Sequence, residues 1–219
     1  MARREEHPFA PRVSAPDLPA ELEAGRGWAR DGEYFQQRFA ELDATTDASH
    51  AEVSECRLIG ASVDALTLTG ASLVDVDIDQ LRATTVSARG SRLRRVRFAG
   101  GRIGTLDLGM ADIDEIELRG MRIDYLTLGG ARIADLLIVD CAIGSLDMPQ
   151  ATATRVAFEN TRCDEVDARG LRADHVDLRG LEMLSLTDAA ALRGTTLSTA
   201  QIERLAPALA SALGIQVRD

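Results

Sequence analysis

Apolar residues recur every five positions from residue 54 to residue 188 without an insertion. With the middle residue of each block of five called i, slot i holds Leu58, Val63, Leu68, Leu73 and Ile78, then Leu93, Phe98, Ile103, Leu108 and Ile113. It continues to Leu178, with smaller residues at Ala83, Ala88, Ala153, Cys163, Ala168 and Ala173. Slot i−2 is also mainly apolar, from Cys56, Ala61, Leu66 and Ala71 to Leu186. The other three positions are mostly Arg, Asp, Thr, Ser and Gly. Side chains two apart share one face of an extended strand, so the i−2/i pair points inward, the residue between them outward, and the next two form a corner. This is one side of a polygonal coil, and a repeat of this kind decides the fold before any other feature does.

A second period of ten overlies the first. Glycine stands at i+2 in Gly60, Gly70, Gly90, Gly100, Gly120, Gly130, Gly170 and Gly180, always on every second corner. The third residue of a type II turn needs positive φ, which glycine takes without steric cost. The intervening corners carry Asp75, Thr85, Arg95, Thr105, Glu115, Tyr125 and Asp135 and are expected to turn without positive φ. After a glycine corner the inward residue is often small (Ala61, Ala71, Gly101, Ala131); after the others it is large (Leu66, Val86, Leu106, Leu126). Two alternating corner types close on four sides, hence about twenty residues per coil, roughly seven coils and a rod about 33 Å long at ~4.8 Å per strand. Side chains fill such a rod, so its interior is a core and not a channel.

The pattern, plainest at Gly60-Ala61-Ser62-Val63 and Gly70-Ala71-Ser72-Leu73, resembles the pentapeptide-repeat family. The resemblance implies an all-β, right-handed quadrilateral β-helix, and the chain departs from the family consensus at i−1, where Asp stands in only some blocks, and at i−2, where Leu, Val or Ile is frequent. Residues 1–27 are then an extended or disordered lead-in, 28–53 an N-terminal cap and irregular first coil, 54–188 the β-helix, and 189–219 a C-terminal helical cap or dimerisation element.

Composition narrows the setting. The formal net charge is −10, which disfavours non-specific nucleic-acid binding. No apolar run approaches the length of a membrane span, and no apolar segment follows the charged start as a secretory signal would require. Cys56, Cys141 and Cys163 fall in inward slots, where a thiol behaves as a small hydrophobe; an odd count without His partners argues against disulfides and metal. A cytoplasmic protein without cofactors is expected.

Both ends of a solenoid expose strand edges that need covering. Trp28, Tyr34, Phe35 and Phe39 are read as a cluster capping the first coil, and Pro8, Pro11, Pro16 and Pro19 as marking the lead-in. Asp188 lands in an inward slot and marks the end of the lumen. Ser198-Thr199-Ala200-Gln201 matches a capping box, opening a helix with Ile202, Leu205, Leu209 and Leu213 on one face and ending at Gly214; Pro207 should kink or split it. That stripe either caps the last coil or joins two copies, as the resemblance implies for several family members.

No catalytic constellation appears: the three histidines lie far apart, and the glycines have a structural explanation as corners. An enzyme is not expected. Residues twenty apart lie on neighbouring coils, so charge columns are readable. Arg82, Arg102 and Arg122 stack, with Arg162 two coils on; Asp107, Thr127, Asp147 and Asp167 form another column; Asp77, Arg97, Glu117 and Asp177 belong to a third. Stacked guanidinium groups suit carboxylates or phosphates. The reading is a non-enzymatic protein-interaction scaffold with an unidentified protein partner. The alternative, implied by the resemblance, is a DNA mimic that binds DNA gyrase or another topoisomerase and protects it from inhibitors, which needs an unbroken carboxylate column.

Overall fold

The computed structural model describes residues 8–218 and is a parallel β-solenoid. Strands of eight residues (Glu52–Ile59, Ser72–Asp79, Arg92–Ala99, Asp112–Arg119, Arg132–Val139, Thr152–Glu159) bend around one corner and cover two sides of the coil. Shorter strands between them (Ser62–Thr67, Arg82–Ser87, Arg102–Asp107, Arg122–Thr127, Ala142–Asp147) cover the rest. Each strand pairs in parallel with the one a coil later: Val53 faces Leu73, Leu73 faces Leu93, and Ile103 faces Ile123. The result is an eleven-stranded and an eight-stranded sheet.

The inward slots are inward. Leu58, Leu66, Leu73, Ile78, Leu106, Ile116 and Leu126 are at most 1% exposed, and they join one continuous core with their neighbours above and below. Cys56, Cys141 and Cys163 lie in that core as free thiols, and burial pushes the Cys163 thiol up to about 11.

The corners differ from expectation. Glycine corners such as Gly60, Gly70, Gly90 and Gly120 are left-handed, but so are Glu55, Asp75, Arg95, Glu115, Asp135, Arg155 and His175, with φ between 48° and 61°. Of the intervening corners, Thr85, Thr105 and Tyr125 do avoid positive φ, so three corners in four are left-handed. A left-handed non-glycine residue costs roughly 1–2 kcal/mol. Here that cost is offset by side chains that stack from coil to coil: Arg95 donates Nε and Nη2 to Asp75 at 2.6 Å each, and Arg155 does the same to Asp135. Asn160 donates to Asp140 in the same manner (2.7 Å). A ladder supplies what glycine supplies elsewhere.

The solenoid extends beyond the regular repeat at both ends with altered spacing. Glu33–Phe35 and Gln37–Phe39 pair with Glu52–Ile59 at an offset of nineteen (Tyr34 with Val53, Phe39 with Leu58), and Thr195–Thr196 pairs with Val176–Asp177 at the same offset. Trp28 and Tyr34 meet Phe39 edge-on at 5.6 and 5.5 Å. Phe35 is no part of that cluster; at 59% exposed it points to solvent, because alternation along its strand turns Tyr34 inward. Asp188 is exposed, not inward: the chain leaves the coil there with φ 66°, and its Oδ1 accepts from Ala190 N–H to cap the short helix Ala189–Leu192.

Residues 8–20 run extended along the rod. Four of their backbone N–H groups donate to side chains on one corner column, at Asp75, Glu115, Asp135 and His175. Lead-in residues 1–7 lie outside the described residues.

Candidate functional site

The arginine column is built by register. Arg82, Arg102 and Arg122 open successive strands and are Cα partners across the sheet; Ala142 then separates them from Arg162. All are outward, with Arg102 and Arg122 side chains 56% and 63% exposed. Arg102 Nη2 donates to Asp124 at 2.9 Å, while Arg122 lies 3.9 Å from the same carboxylate. Among the described residues Arg82 has no carboxylate within 4.0 Å. The reason is Gly104, which occupies the position relative to Arg82 that Asp124 occupies relative to Arg102. A Cβ at Gly104 would stand 2.6 Å from Thr84 O, and one at Gly144 2.4 Å from Asp124 O, so the backbone is sunken here. Gly104 floors a shallow groove of about 750 Å³ flanked by Arg82, Arg102, Arg122, Asp64 and Asp124. Glycine inside a strand marks close backbone approach; that signal was present in the sequence at Gly104 and Gly144, and the charge columns alone overlook it.

The acidic column Asp107, Thr127, Asp147, Asp167 is in Cα register as expected, but its carboxylates are engaged locally. Asp107 Oδ1 accepts from Gly109 N–H (2.8 Å) and Thr127 Oγ1 from Gly129 N–H (3.3 Å), so both close the turn that follows. Tyr125 donates its hydroxyl to Asp147, which pushes the phenol up to about 12. Arg169 donates its backbone N–H and its guanidinium to Asp167 at 2.6–3.0 Å and holds that carboxyl below the usual range. The third column is neutralised in sequence: Asp77, 2% exposed, lies between Arg57 (3.1 Å) and Arg97 (2.8 Å), and Arg119 sits 2.6 Å from Glu117.

At the C-terminal end the helix Thr199–Ala212 starts on the expected capping box, with Ser198 and Gln201 exchanging bonds. It runs unbroken through Pro207; proline costs one bond to Glu203, whose surroundings are exposed. It ends in a Schellman arrangement, with Gly214 at φ 73° and Ile215 N–H donating to Ala210 O at 2.8 Å. The stripe is divided: Leu205 is buried and Leu209 packs on the core, whereas Ile202 and Leu213 are 43% and 76% exposed. Gln201, read from sequence only as a cap residue, is buried and donates Nε2 to Leu178 O and Leu181 O at 2.7 and 2.8 Å. It takes the place of a further coil at Leu181 O and joins the Leu181 N–H (3.0 Å) on Leu178 O.

Five-residue sides, twenty-residue coils and a column-filled lumen define a four-sided parallel β-solenoid. No protein-family model matches the chain, and no curated protein matches it significantly. Among solved structures it is similar to two trypsin-treated variants of QnrB1, a plasmid-mediated fluoroquinolone resistance protein. One is 14% identical with a TM-score of 0.35, covering 88% of this chain and 95% of that one. The other is also 14% identical, with a TM-score of 0.30, covering 91% and 100%. No helix among the described residues is long and apolar enough to cross a membrane, and no group of His, Cys, Asp or Glu there is arranged to hold a metal ion.

Proposed function

We propose that the protein is a non-enzymatic interaction rod whose arginine face, Arg82, Arg102 and Arg122 around Gly104, receives an acidic segment of a protein partner. The observation that carries this is the uneven pairing: three guanidinium groups stand on successive rungs, and of the two carboxylates lining their groove, Asp64 and Asp124, only Asp124 lies within 4.0 Å of any of them. Like charges ~5 Å apart repel, so an incoming carboxylate row relieves a strain that solvent only screens. Arginine's fork adds bidentate geometry.

The DNA-mimic alternative has less support, because the carboxylates of Asp107, Asp147 and Asp167 are tied to turn N–H groups, a tyrosine and an arginine instead of forming an unbroken column. The helix acts as a cap through Leu205 and Leu209; a homodimer would have to use the remainder, Ile202 and Leu213.

The experiment is a titration of a labelled oligoglutamate peptide with the full chain. Binding that weakens with salt and is lost in Arg82→Glu with Arg122→Glu is expected. Equal binding by that variant would refute the arginine face. In parallel, a supercoiling assay with purified gyrase addresses the alternative: inhibition or protection that disappears on reversing Asp107, Asp147 and Asp167 would displace the scaffold reading.

A further inference from the structure

The corner column Glu55, Asp75, Arg95, Glu115, Asp135, Arg155, His175 carries a second peptide on its outside, and that peptide is the chain's own N-terminal arm. Phe9 N–H donates to His175 Nδ1 (3.4 Å), Arg12 N–H to Asp135 Oδ1 (2.8 Å), Ser14 N–H to Glu115 Oε2 (3.3 Å) and Asp17 N–H to Asp75 Oδ1 (2.9 Å). The arm therefore runs from the last coils back toward the first.

Its spacing has a physical cause. From Phe9 to Asp17 the arm crosses the five coils between His175 and Asp75, about 24 Å at ~4.8 Å per coil. The same stretch in polyproline II covers about 25 Å at 3.1 Å per residue. Three residues of that helix, one full turn, advance about 9.3 Å against about 9.6 Å for two coils. A polyproline II peptide is thus commensurate with every second rung. The arm's prolines follow this: Pro8 and Pro11 are three apart, as are Pro16 and Pro19. Pro8, Pro11 and Pro16 are half-buried, and the residue after each of them supplies a donor N–H.

The rod side of the contact is rigid. Asp75 and Asp135 are 5% and 4% exposed, and each is gripped through both oxygens by the arginine of the next rung. What remains of their acceptor capacity points at the arm. The arm side is loose: none of residues 8–20 is buried, and the side chains of Phe9, Arg12, Ser14 and Asp17 are exposed. Recognition reads main-chain N–H groups and the proline faces, with one ring contact from the residues between, Phe9 on His175 at 4.4 Å between centroids. A contact with so little burial opens readily.

We propose that this corner column is a binding track for extended, proline-rich peptide with a free N–H directly after each proline, held in cis by residues 8–19 and entered in trans by a partner segment of the same pattern. The track is separate from the arginine face and does not depend on the function proposed for that face.

The test uses the full chain with Ala10→Cys carrying a fluorophore; the native thiols are buried, so labelling is selective. Arg12→Pro with Asp17→Pro removes two donors without altering the rod. The dye should be restrained in the parent and freely mobile in the double variant, with circular dichroism unchanged. A free peptide of residues 8–20 should then bind the double variant at least tenfold more tightly than the parent, whose track is filled. The same peptide N-methylated at Arg12 and Asp17 should bind at least tenfold more weakly. A dye that stays restrained in the double variant, a peptide that binds neither protein or both equally, or an N-methylated peptide that binds as well as the plain one would each overturn the proposal.

Discussion

Replacing Gly101 with alanine should destabilise the rod far more than replacing Gly120, although both glycines have positive φ (87° and 62°). A Cβ at residue 120 meets nothing within 4 Å, and the equivalent corners on other coils already hold Gln80, Asp140 and Asn160 at φ 43° to 57°. The cost there is conformational alone, roughly 1–2 kcal/mol. A Cβ at residue 101 would stand 2.2 Å from Leu81 O and 2.8 Å from Leu81 N, and backbone cannot swing aside as a side chain can. Relief requires the two coils to part by close to an ångström, where Arg102 N–H donates to Leu81 O at 2.9 Å. Losing that bond in a buried ladder adds about 1–3 kcal/mol, for a total of roughly 2–5 kcal/mol. Urea unfolding followed by far-ultraviolet circular dichroism measures both variants against the parent. Equal destabilisation, within about 0.5 kcal/mol on the usual scale of independent sites, would refute the argument that residue 101 is glycine because of the close coil contact.

Three further outcomes follow from the same geometry. A thiol reagent should modify none of Cys56, Cys141 and Cys163 in native protein and all three after unfolding; rapid native modification of one would place it outside the lumen. Gln201→Leu should cost about 1–3 kcal/mol by leaving Leu181 O without a donor and Leu178 O with the Leu181 N–H alone, and Leu205→Glu should expose the last coil, read as dye binding or aggregation; an unchanged melting profile for both would show that the helix is no cap. Acid should release the arm. Arg95 above all, with Asp17 N–H, lowers the Asp75 carboxyl, and burial of Asp135 is outweighed by Arg155 and Arg12 N–H. Because both folded values are depressed, the stabilisation is complete above the ordinary carboxylate range near 3.9 and is lost as pH falls through the depressed values. Amide exchange at Arg12 and Asp17 measures this, and an arm that stays protected once the carboxylates are protonated would contradict it.

Much of this molecule is set by local order. A five-residue alternation of apolar and polar positions has one economical solution, a coil that puts Leu58, Leu73 and Ile103 inside. The ten-residue glycine rhythm fixes where it bends, and the capping box at Ser198 starts its helix through contacts three residues apart. The register of the arginine column also follows from counting, because twenty residues make a coil.

The tertiary structure decided what depends on partners far along the chain. Left-handed Asp75 and Asp135 look unfavourable until Arg95 and Arg155 arrive one coil later. The Asp107, Asp147 and Asp167 column looks free until turn N–H groups and Arg169 engage it. Above all, the arm carries too little apolar surface to announce a docking site, since its hold comes from main-chain donors meeting carboxylates 58 to 123 residues away. Every residue but proline has that donor, so its use leaves no mark in a sequence; only the folded column, with rungs spaced to match a polyproline turn, gives it a place to bind.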